Sequence, residues 1–236
     1  MLTRKKAILL DMNNTFMFGE DRFGESEDFS THYFKIGGKR PGNEINSIVR
    51  SVYNYLDTRY PDVNYRHDFP SLEQAIHEIV DEPLSKDEIG RIVDTFAYHE
   101  LGFIPAEYAE ALHKLRHSFL LAAVIDIWAP KTAWLREFEH AGIQGLFSAI
   151  SFSSDHGIVK PSPKPFELVL GQLEVAKTEA LVIGDSPTRD LPGAKSAGID
   201  CILVGGCEHP DALTSHGNLL EFCDAFQTAL FQDSSQ

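Results

Sequence analysis

The chain has 236 residues, 43% hydrophobic and 24% charged, which is ordinary for a globular protein able to bury a sizeable core, as one large domain or a core with a smaller companion. A formal charge of −14 and a pI near 5.1 argue against nucleic acid or an anionic membrane as partner, since both call for basic surface. The basic start at residues 1–6 leads into an apolar run that Asp11 interrupts, too short for a signal peptide or a membrane span. Cys201, Cys207 and Cys223 show no CxxC spacing. Cys201 lies in an apolar run and reads as an inert buried thiol, and a reducing cytoplasm is the expected compartment.

Residues 7–12 read as a short buried strand that opens into the loop Asp11-Met12-Asn13-Asn14-Thr15. The carboxyl end of a strand is where an open α/β sheet binds ligands, so Asp11 is positioned for chemistry. Asn14 suits the turn because Asn tolerates a left-handed backbone. A long stretch follows without a convincing parallel strand, carrying helical patterns over 44–56, 72–80, 86–98 and 106–117. Ile45, Ile48, Val49 and Val52 have the spacing of one buried helix face. The fourth pattern leads back into the core, so an inserted helical lid spans 16–103.

Strand 119–126 ends at Asp126 and is followed by a helix over 131–141 and a strand over 149–152. Gly157-Ile158-Val159-Lys160-Pro161 sets a lysine just before a helix at 165–173. Strand 180–184 ends in Gly184-Asp185-Ser186, and Asp190 follows, with Gly193-Ala194 and Ala197-Gly198 on a helix packed closely against the sheet. A strand at 201–204 precedes a last helix at 219–230, whose buried face would be Leu219, Cys223, Phe226 and Leu230; the tail 232–236 is expected to fray. Alternating strands and helices imply a parallel sheet with helices on both faces. The expectation is an α/β protein with a Rossmann-like parallel core from 1–15 and 104–236 and an inserted helical cap at 16–103.

Asp11 and Asp185, at adjacent strand ends, form a hard oxygen site suited to Mg²⁺. Lys160 would offset the charge on Asp11 and on a bound anion. Each of these alone reads as a sheet-end carboxylate with a salt-bridging lysine; the ordered set points to chemistry. Asp11 to Thr15, the strand ending at Asp126, Lys160, and Asp185 with Asp190 resemble, in that order, the four motifs of the haloacid dehalogenase-like (HAD) hydrolases, a superfamily made up mainly of phosphatases. The resemblance covers nearly the whole chain and is strongest around Lys160 and over 181–198. It implies an Asp11 nucleophile that forms an acyl phosphate, Lys160 as charge stabiliser, and Mg²⁺ held by Asp11, Asp185 and the Asn13 carbonyl. Asp190 would be a ligand through water or an orienting group, and Thr15 would steady the loop, with Asn13, Asn14 and Thr15 against the substrate. It further implies a small phosphorylated metabolite as substrate, a cap that closes over the site, and a monomer or homodimer.

Two residues depart from the family pattern. Asn13 stands where the family has a second aspartate, its general acid and base, and an amide cannot carry that proton at pH 7; its alternative role is holding the loop by hydrogen bonds. Asp126 stands where the second motif normally ends in Ser or Thr. It reads three ways: as a replacement acid or base, as the partner of Lys131 or Lys160, or as a sign that the substrate is not a phosphomonoester. A binding or regulatory protein that kept the site but lost turnover is therefore the rival reading. A receiver-like signalling domain fits poorly with the long insertion, and halide release fits poorly with Gly184-Asp185-Ser186. Among the remaining candidates, His113 and His117 have an i, i+4 metal-binding spacing but lie beside Lys114 and Arg116, which suggests a solvated face. His156 reads as a loop histidine or a site residue, Tyr33, Lys35 and Lys39 as a mobile anion-contacting loop or a surface turn, Trp134 as core and Trp128 as facing the cleft.

Overall fold

A computed structural model describes residues 4–233; residues 1–3, residues 234–236 of the tail expected to fray, and the side chains of residues 230–233, Leu230 among them, lie outside the described residues. Strands β1 (Ala7–Leu10), β2 (Leu120–Ile125), β3 (Phe147–Phe152), β4 (Ala180–Gly184), β5 (Asp200–Leu203) and β6 (Thr214–Ser215) form one parallel sheet in the order β3-β2-β1-β4-β5-β6. Helices α1 (Phe29–Lys35), α2 (Gly42–Arg59), α3 (Leu72–Ile79) and α4 (Lys86–Glu100) lie between β1 and β2, followed by α5 (Ala106–Arg116). Helices α6 (Thr132–His140), α7 (Ser153–His156), α8 (Lys164–Leu173), α9 (Asp190–Ala197) and α10 (Leu219–Asp233) complete the chain. No described helix is long and apolar enough to cross a membrane.

The strands are continuous apolar runs because both sheet faces are covered. Side chains alternate between the faces. Ile8, Leu10, Leu121, Ala123, Leu181 and Ile183 join Leu112, Phe138 and Phe222 of the helices on one side, while Ala7, Leu9, Ala122, Val124, Ala180 and Val182 meet Phe166, Val169, Leu191 and Ala194 of α8 and α9 on the other. Burying one such aliphatic or aromatic side chain contributes about 1.5–3 kcal/mol. β1 sits centrally, paired with β2 on one side and β4 on the other. The chain order thus reverses direction between β1 and β4, and the crevice above that switch point is where open α/β sheets bind ligands.

The expected strands and helices are present with ends shifted by a few residues, and the α2 face of Ile45, Ile48, Val49 and Val52 is buried as its spacing requires. Three elements escaped the sequence. β6 is two polar residues with no apolar run, α1 (FSTHYFK) has no clean apolar stripe, and α7 (SSDH) is a single turn too short to carry one, which puts His156 at a helix end rather than in a loop. The expected loop of Tyr33, Lys35 and Lys39 needs correction: Tyr33 and Lys35 are in α1, and the buried Tyr33 hydroxyl donates to Glu88 and accepts the Lys39 and Arg40 N–H groups, both at 3.2 Å. Those bonds fold the turn onto the helix. A Cβ on Gly38 would lie 2.1 Å from the Tyr33 ring, so only glycine fits there.

The helices between β1 and β2 join the sheet through two paired connectors. Phe18 and Phe103 exchange backbone hydrogen bonds of 2.9 Å each, and Arg22 N–H donates to the His99 carbonyl at 2.8 Å. The turn beyond α2 also reaches the sheet side, where Phe69 N–H donates to the Gly157 carbonyl at 2.8 Å and Val159 N–H to the Arg66 carbonyl at 3.1 Å. Glu100, at the end of α4, is buried and accepts the Trp128 and Ala129 N–H groups at 2.6 and 2.9 Å. Burial, aided by the charge of Asp21, pushes its carboxyl from 4.5 up to about 8 against those two donors.

The native state therefore keeps a Glu100 proton that the unfolded chain releases, and stability from this group falls as pH rises between the two values. Glu100→Gln, which turns an NH₂ toward one of the two donors, is expected to cost about 1–3 kcal/mol at pH 5. The deficit should narrow by pH 8 because the variant lacks the titration. Urea denaturation at both pH values checks this, and a pH-independent deficit would refute it.

Candidate active site

The β1 ladder runs one residue past the strand, since Asp11 N–H still donates to the Ile183 carbonyl at 2.9 Å. This fixes the Asp11 side chain at the carboxyl edge of the sheet. The next turn closes on the Met12 carbonyl, which accepts the Thr15, Phe16 and Met17 N–H groups, and Asn14 takes the left-handed backbone (φ 53°) its side chain tolerates. Thr15 is fully buried and donates its hydroxyl to Asp11 Oδ2 at 3.3 Å. On the neighbouring strand, a Cβ at Gly184 would lie 2.5 Å from the Asp190 carboxyl carbon, so the glycine makes room for that carboxylate. Asp190 Oδ2 accepts the Ser186 N–H at 3.0 Å, and its Oδ1 accepts Lys160 Nζ at 2.8 Å. Lys160 Nζ also donates to Asp11 Oδ1.

Lys160, Asp11 and Asp190 are all buried, which makes the Lys160 ammonium the hub of the cluster. Burial alone would lower its pKa, but the Asp11 and Asp190 carboxylates overcome that and hold it well above its usual value. Asp11 is raised by burial, against the pull of Lys160 and with further repulsion from Asp190 and Asp185. Asp185, partly exposed, is raised by burial and by Asp190. One lysine faces three carboxylates whose oxygens lie within 4.8 Å of one another. The excess negative charge, the all-oxygen donor set, and the buried Asn13 Oδ1 that has no hydrogen-bond partner together fit a small divalent cation such as Mg²⁺.

Asp11, Asn13, Asp126, Lys160, Asp185 and Asp190 line one cavity of about 230 Å³. Asn14 is exposed and outside that lining, and Thr15 reaches the site only through Asp11. Asp126 Oδ2 accepts two donors, the Lys160 N–H at 2.9 Å and the Tyr60 hydroxyl at 2.8 Å. Burial raises its pKa, with Lys160 and Tyr60 pulling the other way. The alternative partner Lys131 is 2.6 Å from Asp155 instead. His113 and His117 are exposed. His156 bonds Ser151 and the Ile158 N–H away from the cavity, and Trp134 is core. Trp128 packs tilted or edge-on against Tyr53, Tyr60 and Phe69 and does not line this cavity.

The structure adds Tyr60 and Asp21 from the helical segment, and Ser186 and Arg189 beside Asp185. Tyr60 had no signal in the sequence, because it follows the end of α2, whose apolar spacing says nothing of what the next residue meets. Arg189 had one, a cation directly before Asp190.

The sequence model of the family described as haloacid dehalogenase-like hydrolase matches residues 5–198. Among curated relatives, a phosphoserine phosphatase of Thermus thermophilus is 39% identical over 64 residues, 27% of this chain and 26% of the relative. A phosphoglycolate phosphatase of Yersinia pestis is 39% identical over 87 residues, 35% and 37% of the two chains. The chain thus aligns with about a quarter to a third of these relatives' length. A 2-haloacid dehalogenase of Pseudomonas syringae superposes with a TM-score of 0.64 at 22% identity, over 95% of this chain and 99% of the other. A HAD phosphatase of Thermococcus onnurineus gives 0.61 at 21%, over 94% and 97%. At such identities the likeness is one of fold.

Removing the hub leaves Asp11 and Asp190 buried without their cation. Lys160→Met, without added metal, should lose about 3–5 kcal/mol of stability at neutral pH, the typical cost of breaking a buried pair from one side. Urea denaturation measures it; a loss below about 1 kcal/mol would show that the buried pair contributes little to folding.

Proposed function

The chain belongs to the haloacid dehalogenase-like hydrolases, and within that family we propose that it is a Mg²⁺-dependent phosphatase acting on a small phosphorylated metabolite through an aspartyl-phosphate intermediate. The observation that carries this reading is the Asp11–Asp185–Asp190 cluster closed by Lys160 at the sheet's switch point. A site built for halide release has no need of an extra partly exposed carboxylate such as Asp185. The phosphatase names of the relatives in Thermus and Yersinia support the same class. We take residues 16–103 as a cap over a core of 1–15 and 104–236.

Asp11 attacks phosphorus, the bond to the ester oxygen breaks, and water later cleaves the acyl phosphate to regenerate the carboxylate. Oδ1 is tied to Lys160, which leaves Oδ2, held only by the 3.3 Å bond from Thr15, as the freer nucleophile. Mg²⁺ held by Asp11, Asp185 and the Asn13 carbonyl would supply positive charge to the phosphoryl oxygens. Asp190, with both oxygens occupied by Lys160 and Ser186, orients rather than reacts. Asn13 cannot protonate the departing oxygen. Asp126 lines the same cavity, and its Oδ2 holds the Lys160 N–H and the Tyr60 hydroxyl while its Oδ1 has no hydrogen-bond partner among the described residues, so it is the replacement acid in this reading. Asn13 also favours a second reading, a protein that binds phosphorylated ligands without turning them over.

Wild-type protein with Mg²⁺ should hydrolyse nitrophenyl phosphate, and Asp185→Ala should lose that activity together with Mg²⁺ binding measured by calorimetry. Unchanged metal affinity in the variant would reject the placement, and no wild-type hydrolysis would favour the binding reading.

Asn13→Asp is expected to raise single-turnover rates on alkyl phosphates by about 10²-fold, with little effect on nitrophenyl phosphate, because a general acid matters most for a basic leaving oxygen. Asp126→Asn should slow the alkyl ester in the wild-type background. Unaltered alkyl rates in Asp126→Asn would remove Asp126 from proton transfer.

A further inference from the structure

We infer that Arg189 binds a carboxylate carried by the substrate beyond its phosphoryl group, so that the preferred substrates are phosphorylated hydroxy acids; this rests on the phosphatase reading above. Two basic side chains line the cavity, Lys160 and Arg189. Lys160 is neutralised by Asp11 and Asp190. Arg189 has no carboxylate within ion-pair distance among the described residues, although five aspartates line the same cavity. It is therefore the cation left over for a ligand in an otherwise acidic pocket.

Its geometry suits that task. The guanidinium lies 3.4 Å over the centre of the Tyr60 ring, and one nitrogen, Nη1, donates to the Lys160 carbonyl at 3.2 Å and to the Tyr60 carbonyl at 3.5 Å. Nε and Nη2 donate to no described residue within hydrogen-bond distance. A stacked, tethered guanidinium has already lost most of its rotational freedom, and a planar fork of N–H groups matches a carboxylate in a two-point contact. The tether also says which part of the substrate it meets. The phosphoryl group belongs beside Asp11, at the sheet edge, whereas Arg189 is held on the side of Tyr60, which comes from the helical segment. A cavity of about 230 Å³ suits a compact molecule bridging the two.

The test compares phosphoglycolate with ethyl phosphate, which replaces the carboxylate by a methyl group, in the wild type, Arg189→Gln and Arg189→Lys. Melting temperatures serve as a check on folding. The wild type should prefer phosphoglycolate by about tenfold or more in kcat/KM, the scale of a charge-assisted contact. Arg189→Gln should erase most of that preference through KM, and Arg189→Lys should restore part of it. An equal fall on both esters in Arg189→Gln would assign the residue a merely structural role and overturn the proposal. Indifference of the wild type to the carboxylate would also overturn it while leaving the phosphatase reading intact. Absence of turnover on both esters and on nitrophenyl phosphate would remove that reading and the proposal with it.

Discussion

The buried Lys160 ammonium between Asp11 and Asp190 is the interaction on which the rest of the site depends. Three segments far apart in sequence end on these residues, and none can keep its charge in a desolvated position without the others. A carboxylate taken out of water needs a partner and hydrogen bonds to remain ionised. Here Asp190 has Lys160 and the Ser186 N–H, and Asp11 has Lys160 and the Thr15 hydroxyl. Among the described residues the arrangement still leaves Asp185 without a cation of its own, which is why the cluster reads as a place for a metal ion rather than as a completed salt bridge.

The sheet supplies the alignment that this cluster requires. Parallel pairing of β1 with β4 sets Leu10 opposite Ile183, so the residues that follow each strand emerge side by side at one edge. Gly184 then permits the Asp190 carboxylate to approach the backbone, and the close packing of Gly193 against the Phe166 ring lets α9 lie near α8. Each of these glycines is demanded by a specific close approach, where any Cβ would collide.

The departures from the family pattern acquire a physical sense in three dimensions. Asp126, in place of a hydroxyl, is not left as a repulsive charge: the Lys160 N–H and the Tyr60 hydroxyl both donate to it. Tyr60 in turn carries the Arg189 guanidinium on its ring and packs on Trp128. One aromatic residue from the helical segment thus ties together the second, third and fourth motif regions. In an acidic protein of net charge −14, such locally arranged cations are what would let this pocket accept an anion.

The sequence by itself determined the parallel α/β core, the helical insertion after β1, and the set Asp11, Lys160, Asp185 and Asp190. Those features leave local marks: apolar runs of strand length, helix-period stripes, and carboxylates placed at strand ends. The conformation of Asn14 was legible too, because left-handed backbone is a property of one residue. Only the tertiary structure decided that α1 is a helix, that Tyr33 organises the turn over 37–40, that Asp126 answers to Tyr60 rather than Lys131, and that Arg189 stands unpaired by any carboxylate among the described residues. These are contacts between side chains distant in sequence, set by how the end of α2 meets the sheet edge. No residue type or spacing encodes which partner lies across such a gap, since that depends on the packing of every element between them.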